Sequence, residues 1–183
     1  MQDDIYNMEF FDAVNGRRSI RAFTSKPVEE DKIRRVLEAA NAAPSAGNLQ
    51  SYEIFLIKDE EKKKEMAGAV ATAYSGNNFI ANAPVVLVFC ANRERAGKYG
   101  ERGRSLYAVQ DATISAAYCQ LAATALGLSS VWVGSFDEAK TLKVLKDPKG
   151  LTPVAVIPLG YPAEDPKPRP RRKLEEIVHE VQS

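Results

Sequence analysis

The run Val85-Val86-Leu87-Val88-Phe89-Cys90 is apolar at every position and follows directly on Pro84. Strand side chains alternate between two faces, so six consecutive apolar residues describe a strand covered on both sides. A sheet with one wet face would alternate apolar with polar here. The wider apolar patch from Ala81 to Ala91 contains Asn82 and Pro84 and falls short of a membrane span. The expected class is therefore α/β or α+β, with helices packed on both faces of a central sheet.

Outward from that strand the chain alternates between helical and extended patterns. Upstream, Phe10-Phe11-Asp12-Ala13-Val14 reads as a short helix ending near Asn15-Gly16. Past Pro27, Ile33, Val36, Leu37 and Ala40 recur at helical spacing over Glu29 to Ala42. Pro44 to Asn48 is a loop, Tyr52 to Ile57 a strand, and Glu60 to Ala73 a helix with a charged start. Downstream, the basic segment Asn92 to Arg104 reads as a surface connection before a long helix from Ser105 to Leu126, stopped by Gly127. On that helix Ala108, Ala112, Ser115, Cys119, Ala122 and Leu126 form a face of small side chains, open to close approach by another element. Val131 to Val133 is expected as a strand, Asp137 to Leu145 as a short helix, and Pro153 to Leu159 as the last interior strand. Pro166, Pro168 and Pro170 keep Ala163 to Arg172 extended until Lys173-Leu174-Glu175-Glu176-Ile177, and such an arm needs its own body or a partner to hold it.

At 183 residues and 20.1 kDa the chain is expected to be a single domain, 1–183, with its extended arm at about 161–183. A hydrophobic fraction of 45% with 27% charged residues excludes wholesale disorder. Cys90 and Cys119 lack the histidine partners of a zinc site and read as buried reduced thiols, and no metal is expected. Met1-Gln2-Asp3-Asp4 has no cationic start and no long apolar segment follows, so the expected location is cytoplasmic, away from membrane.

A formal charge of +1 gives no global field toward nucleic acid, so any anion site must be local. Two local concentrations of cation exist: Arg17, Arg18 and Arg21 before the second helix, and Arg169, Arg171, Arg172 and Lys173 in the arm. Guanidinium groups bind phosphate through paired, charge-assisted hydrogen bonds. The composition leaves solvated charge runs, a small phosphate-bearing ligand and nucleic acid as alternatives. Side-chain acid–base chemistry has few candidates, because His179 is the sole histidine and lies on a charged segment near the end. No glycine fingerprint for a dinucleotide follows the first strand.

Arg17-Arg18-Ser19-Ile20-Arg21 is followed in the chain by Pro44-Ser45-Ala46-Gly47-Asn48-Leu49-Gln50. Gln110-Asp111-Ala112, Ala125-Leu126-Gly127 before Val133-Gly134, and Gly160-Tyr161-Pro162 through Arg171 come after them. In the order and spacing of these motifs the whole chain resembles the flavin-dependent nitroreductase family, particularly its short members.

That resemblance implies an α+β fold, a three-layer sandwich whose central mixed, mainly antiparallel sheet is flanked by helices. It also implies a homodimer that exchanges C-terminal arms and holds two FMN molecules between its subunits. Arg17, Arg18, Ser19 and Arg21 would bind the phosphate and polar edge, with Arg169 and Arg171 reaching back to the phosphate. Pro44, Ser45, Ala46 and Asn48 would come from the neighbouring subunit, with Asn48 and Gln50 toward the ribityl or ring region. Val133, Gly134 and Ser135 would lie against the ring, with a Gly134 backbone N–H tuning its N5, although this chain has Val133 where relatives have an acidic residue. The family's activity is a ping-pong cycle in which NADH or NADPH reduces FMN and a small planar acceptor, a nitroaromatic or quinone, reoxidises it. A specialised flavin or cofactor reductase or oxidase, and a noncatalytic flavin-binding sensor, are the alternatives. The small-residue helix face would serve either its own chain's core or a contact with its counterpart across the two-fold axis.

Overall fold

The computed structural model describes residues 8–70 and 78–181. Its strands are β1 (Tyr52–Ile57), β2 (Val85–Asn92), β3 (Ser129–Ser130) and β4 (Leu151–Gly160), joined as one sheet in the order β1-β2-β4-β3. Every neighbouring pair is antiparallel. Among the described residues, the mixed character of the sheet is limited to an isolated parallel bridge between Ser19 and Ser130.

β2 sits in the interior of the sheet, and its side chains sort by parity as the apolar run requires. Val85, Leu87 and Phe89 pack with Val36 and Ala40 of helix α2 (Glu30–Asn41) and with Ala116 and Cys119 of helix α6 (Ala108–Ala125). Val86, Val88 and Cys90 face the other way, toward Met66 of α3 (Glu60–Ala69), Phe79 and Ile80 of α4 (Phe79–Asn82) and Val144 of α7 (Glu138–Val144). Full burial of each larger side chain contributes about 1.5–3 kcal/mol, in keeping with apolar residues on both faces from Val85 to Ala91. Helix α1 (Phe10–Gly16) lies at the start of the described chain and touches α6.

Local chemistry sets the helix ends. Asp59 and Asp137 cap α3 and α7 by accepting the N–H groups of Lys62 and Lys140, each at 2.9 Å. α6 ends in a Schellman turn: Gly127 takes φ 72° and donates to Thr124 O, while Leu128 N–H reaches Ala123 O at 2.8 Å. Leu128 and Ala123 then share one core cluster, the apolar contact that accompanies this turn. α3 stops earlier than the sequence pattern implied, because Val70 turns extended and bridges to Phe136. The expected end at Ala73 lies outside the described residues.

Two other expectations change, and one open alternative is decided. Val131 to Val133 does not form a continuous strand: Ser129 and Ser130 pair with β4, and Val133 makes an isolated bridge to Val156. Ser130 faces Leu159 and Val133 faces Val156, so Val131 faces Pro158, which has no N–H to donate to it. The ladder is interrupted by the partner strand's proline, a cause invisible in the segment itself. The long helix starts at Ala108, preceded by the single-turn α5 (Gly100–Arg102) and a π-helical turn over Gly103–Tyr107. Its small-residue face serves the chain's own core: Ala108, Ala112, Ser115 and Cys119 are fully buried, and Ser115 Oγ donates to Ala40 O of α2 at 2.9 Å. Any contact across a two-fold axis would use another face, where Ala117 and Tyr118 are exposed.

Candidate functional site

Arg17 caps the end of α1, and Arg18 folds its guanidinium back onto the carbonyls of Asn15 and Arg17 at 2.6 and 2.9 Å. Those are carbonyls of the helix C-terminus, where a cation is favoured. The chain then runs extended, Ile20 N–H donating to Ser130 O at 3.1 Å. On its other side lies the root of the arm. Thr24 N–H donates to Tyr161 O and Ala163 N–H to Ala22 O, both at 2.9 Å, and the Glu164 carboxylate accepts the N–H groups of Arg21 and Ala22.

This stitching leads the proline-bearing arm back over its own chain. Arg169 and Arg171 consequently face Arg17, Arg18, Ser19 and Arg21 across a cleft of about 580 Å³. The two basic stretches, some 150 residues apart, meet as one local concentration of positive charge. Arg17 is half-buried, and its pKa is lowered first by burial and then by the like charges of Arg171 and Arg18. Among the described residues, no ion pair joins Arg17, Arg169 or Arg171 to a carboxylate. The root of the arm, residues 161–164, is thus stitched to its own chain, and Pro166 to Arg171 continue along the edge of the cleft, largely exposed. Beyond it, Lys173 to Ile177 contains only a 3₁₀ turn (Leu174–Glu176), and Leu174 and Val178 are exposed.

A second cleft, about 540 Å³, lies between Pro44-Ser45-Ala46 and the start of α6, with Tyr107, Val109 and Ile114 giving it an apolar lining. The loop beside it carries an unusual backbone: Gly47, Asn48 and Gln50 all lie in the left-handed region, at φ 54°, 57° and 49°. Gly47 adopts that region without a side-chain penalty, and an added Cβ would have to push the Tyr99 hydroxyl aside. Ser45 Oγ accepts the Gln50 N–H at 2.9 Å, and the Gln50 amide donates to Asn48 O and Oδ1. Arg95 Nε, from the segment after β2, holds Leu49 O at 3.0 Å.

Within one chain these clefts have no lining residue in common. Arg17 to Arg21 and Arg169/Arg171 form one group, Pro44 to Ala46 another, and Val133, Gly134 and Ser135 line neither. Val133 is buried and exchanges both backbone hydrogen bonds with Val156, at 3.0 and 2.9 Å, while Gly134 and Ser135 are exposed. Burial drives the thiols of Cys90 and Cys119 up to about 12, so neither is a nucleophile near neutral pH. His179 is exposed.

A family model for nitroreductases matches residues 14–78 and 71–161, a span that contains both the basic segment and the left-handed loop. The chain belongs to the nitroreductase family. It is 34% identical over 190 residues to the NADH dehydrogenase of Thermus thermophilus, covering 88% of this chain and 91% of that relative. To the FMN reductase [NAD(P)H] of Bacillus subtilis it is 28% identical over 186 residues, covering 94% and 73%. The solved NADPH:FMN oxidoreductase of Vibrio harveyi, complexed with NAD+, superimposes with a TM-score of 0.82 at 28% identity, over 95% of this chain and 77% of that one.

For a member of this family, two features of the site were missed in the sequence. One is Asp111, nearly fully buried, whose carboxylate accepts the N–H of Ala46 at 2.9 Å and of Ser51 at 3.3 Å. A signal existed: it is the only acidic residue between Glu101 and Asp137, and it shares the buried face of Ala108, Ala112 and Ser115. The other is Glu164, whose role depends on a chain reversal that no local pattern reveals. Among the described residues no helix is long and apolar enough to cross a membrane.

Proposed function

We propose that this nitroreductase-family protein is an FMN-dependent NAD(P)H oxidoreductase acting as a cytoplasmic homodimer. Each site joins the cationic cleft of one subunit to the 44–50 loop and apolar cleft of the other. The observation that carries this reading is the division of labour within one chain. The guanidinium groups of Arg17, Arg169 and Arg171, without a carboxylate partner among the described residues, and a shaped apolar wall are both present but line different clefts. A phosphate monoester attached to a planar ring needs both, and the residues fit it. The half-buried Arg17 amid like charges favours a bound anion, and Pro44, Ala46 and Ile114 provide desolvated contact for a ring.

When bound, FMN supplies the hydride-accepting and hydride-donating ring that the side chains of this protein lack. Arg17, Arg21, Arg169 and Arg171 hold the phosphate, with Arg18 fastening the end of α1 and the Ser19 hydroxyl adding a polar contact. Pro44, Ser45 and Ala46 exclude water from one side, and Asn48 and Gln50 offer amide groups to the polar part of the ligand. Gly134 lies four residues along the chain from the Ser19–Ser130 bridge, or roughly 13 Å at the rise of extended backbone. We assign Val133-Gly134-Ser135 to the ring edge, where the Gly134 N–H would donate. Donor and acceptor use the same site in turn, and a small planar electron acceptor such as a quinone or nitroaromatic is the expected second substrate.

Protein purified without added cofactor, denatured and analysed by chromatography and mass should release FMN and no FAD. Anaerobic mixing with NADH or NADPH should bleach the flavin absorbance, and a quinone should restore it. Absence of flavin after reconstitution, or no bleaching by either nicotinamide at full occupancy, overturns the assignment.

A further inference from the structure

We propose that Asp111 is the positioning residue of the 45–51 loop, its buried carboxylate fixing the backbone shape that faces the flavin. This role presupposes the FMN site described above. Asp111 is 2% exposed, and among the described residues it forms no ion pair. A carboxylate so buried must have its oxygens satisfied by hydrogen bonds. Here Oδ1 accepts from Ala46 N–H and Oδ2 from Ser51 N–H, at 2.9 and 3.3 Å.

Those two amides bracket Gly47, Asn48 and Gln50, three left-handed residues of which two are not glycine. Backbone of this kind persists only where its surroundings over-determine it. The Ser45–Gln50 bond lies within the loop, and Arg95 is itself exposed. The Asp111 carboxylate ties the loop to an eighteen-residue helix of the core. Its chemistry is specific. An asparagine in the same place keeps one acceptor but turns an N–H donor toward the other amide, so one contact becomes a clash of donors.

The test compares Asp111→Asn with Ser115→Ala. The second variant also removes a buried hydrogen bond of α6, to Ala40 O, without touching the loop. Amide hydrogen exchange in the FMN-free protein, FMN titration, and visible circular dichroism at saturating FMN are the readouts. Asp111→Asn should speed exchange at Ala46 and Ser51 and weaken FMN binding about 10-fold. It should also alter the dichroism of the flavin still bound, whereas Ser115→Ala should lower the melting temperature and change none of these. Should Asp111→Asn fail to fold, Ala46→Pro removes the same bond from the donor side. Ser45 already has the extended conformation (φ −140°, ψ 157°) that a following proline requires. Ala46→Pro is expected to weaken FMN binding by a similar factor, and unchanged affinity there overturns the proposal. So does wild-type affinity and dichroism in Asp111→Asn, or equal losses in Ser115→Ala. Wild-type protein that takes up no FMN, while Asp111→Asn loses protection at the two amides, overturns the cofactor reading alone.

Discussion

In the cleft between residues 17–21 and 166–171, Arg17, Arg169 and Arg171 stand near one another without a paired carboxylate among the described residues, whereas at the 44–50 loop a carboxylate is buried with both oxygens engaged. The first region keeps charge in reserve for a ligand. The second uses its buried carboxylate to hold its own backbone in shape. Such a pair separates two contributions that a single pocket would blend: electrostatic affinity, which salt screens, and geometric fit, which it does not.

The largest expected effect strikes the charge reserve. Arg17→Ala combined with Arg171→Ala should reduce FMN affinity by two or more orders of magnitude, since each lost charge-assisted bond is worth about 1.5–3 kcal/mol. Arg21→Ala should act in the same direction, and Lys146→Ala, an exposed residue that does not line the cleft, should leave binding unchanged. Raising ionic strength should weaken wild-type binding and affect the double variant less. Equal FMN affinity in wild type and double variant, both folded by circular dichroism, would move the phosphate site elsewhere.

Next comes the claim that the two regions act in trans. An Arg17→Ala protein and an Asn48→Ala protein, each inactive as a homodimer, would be mixed under conditions that exchange subunits. Composite sites place both lesions in one cleft of the mixed dimer and leave the other wholly native, so activity should return to about half that of a native dimer. No recovery in verified mixed dimers breaks the pairing of these positions.

The sequence made the scaffold more legible than the site, for reasons that lie in particular residues. β2 was readable because every residue of Val85 to Cys90 is buried, so no partner was needed to interpret it. β1 appeared with the expected ends, Tyr52 and Ile57. The third strand was misread because its fate depends on Pro158 across the ladder. The cationic stretches were visible as composition, but their meeting depends on Glu164 binding the backbone of Arg21 and Ala22. Asp111 was visible as a lone acid in an alanine-rich helix, yet its partner Ala46 is 65 residues away. Motifs announce chemistry; the contacts that aim it are long-range.

A smaller effect probes the arm. Glu164→Gln keeps an acceptor at Arg21 and Ala22 N–H but removes the charge, and it should weaken FMN binding by less than about 10-fold by loosening the path of Arg169 and Arg171. An FMN titration at low and moderate salt measures it. Should Glu164→Gln match the double arginine variant, arm placement rather than charge would dominate the first region.

The smallest effect lies at the root of the same arm, outside both clefts. Tyr161 O–H donates to Glu29 Oε2 at 2.7 Å, and Lys32 Nζ reaches the Tyr161 hydroxyl and Leu126 O, each at 3.0 Å. The Tyr161 bond is the first cause, ahead of Glu29's own backbone and Lys26, of a Glu29 pKa lowered from 4.5 to about 2. A carboxylate held below its unfolded value stabilises the fold above that value and loses its contribution as pH falls through the folded one. Its stabilisation should therefore be complete above about pH 4.5 and disappear toward pH 2. Because the Glu29 side chain is 43% exposed, solvent screens most of the effect. Glu29→Gln should lower the melting temperature by about 2 °C or less at pH 7, with the gap to wild type closing below pH 4.5. A gap that stays constant down to pH 2.5 would assign the loss to packing, and the arm root would then owe nothing to this charge.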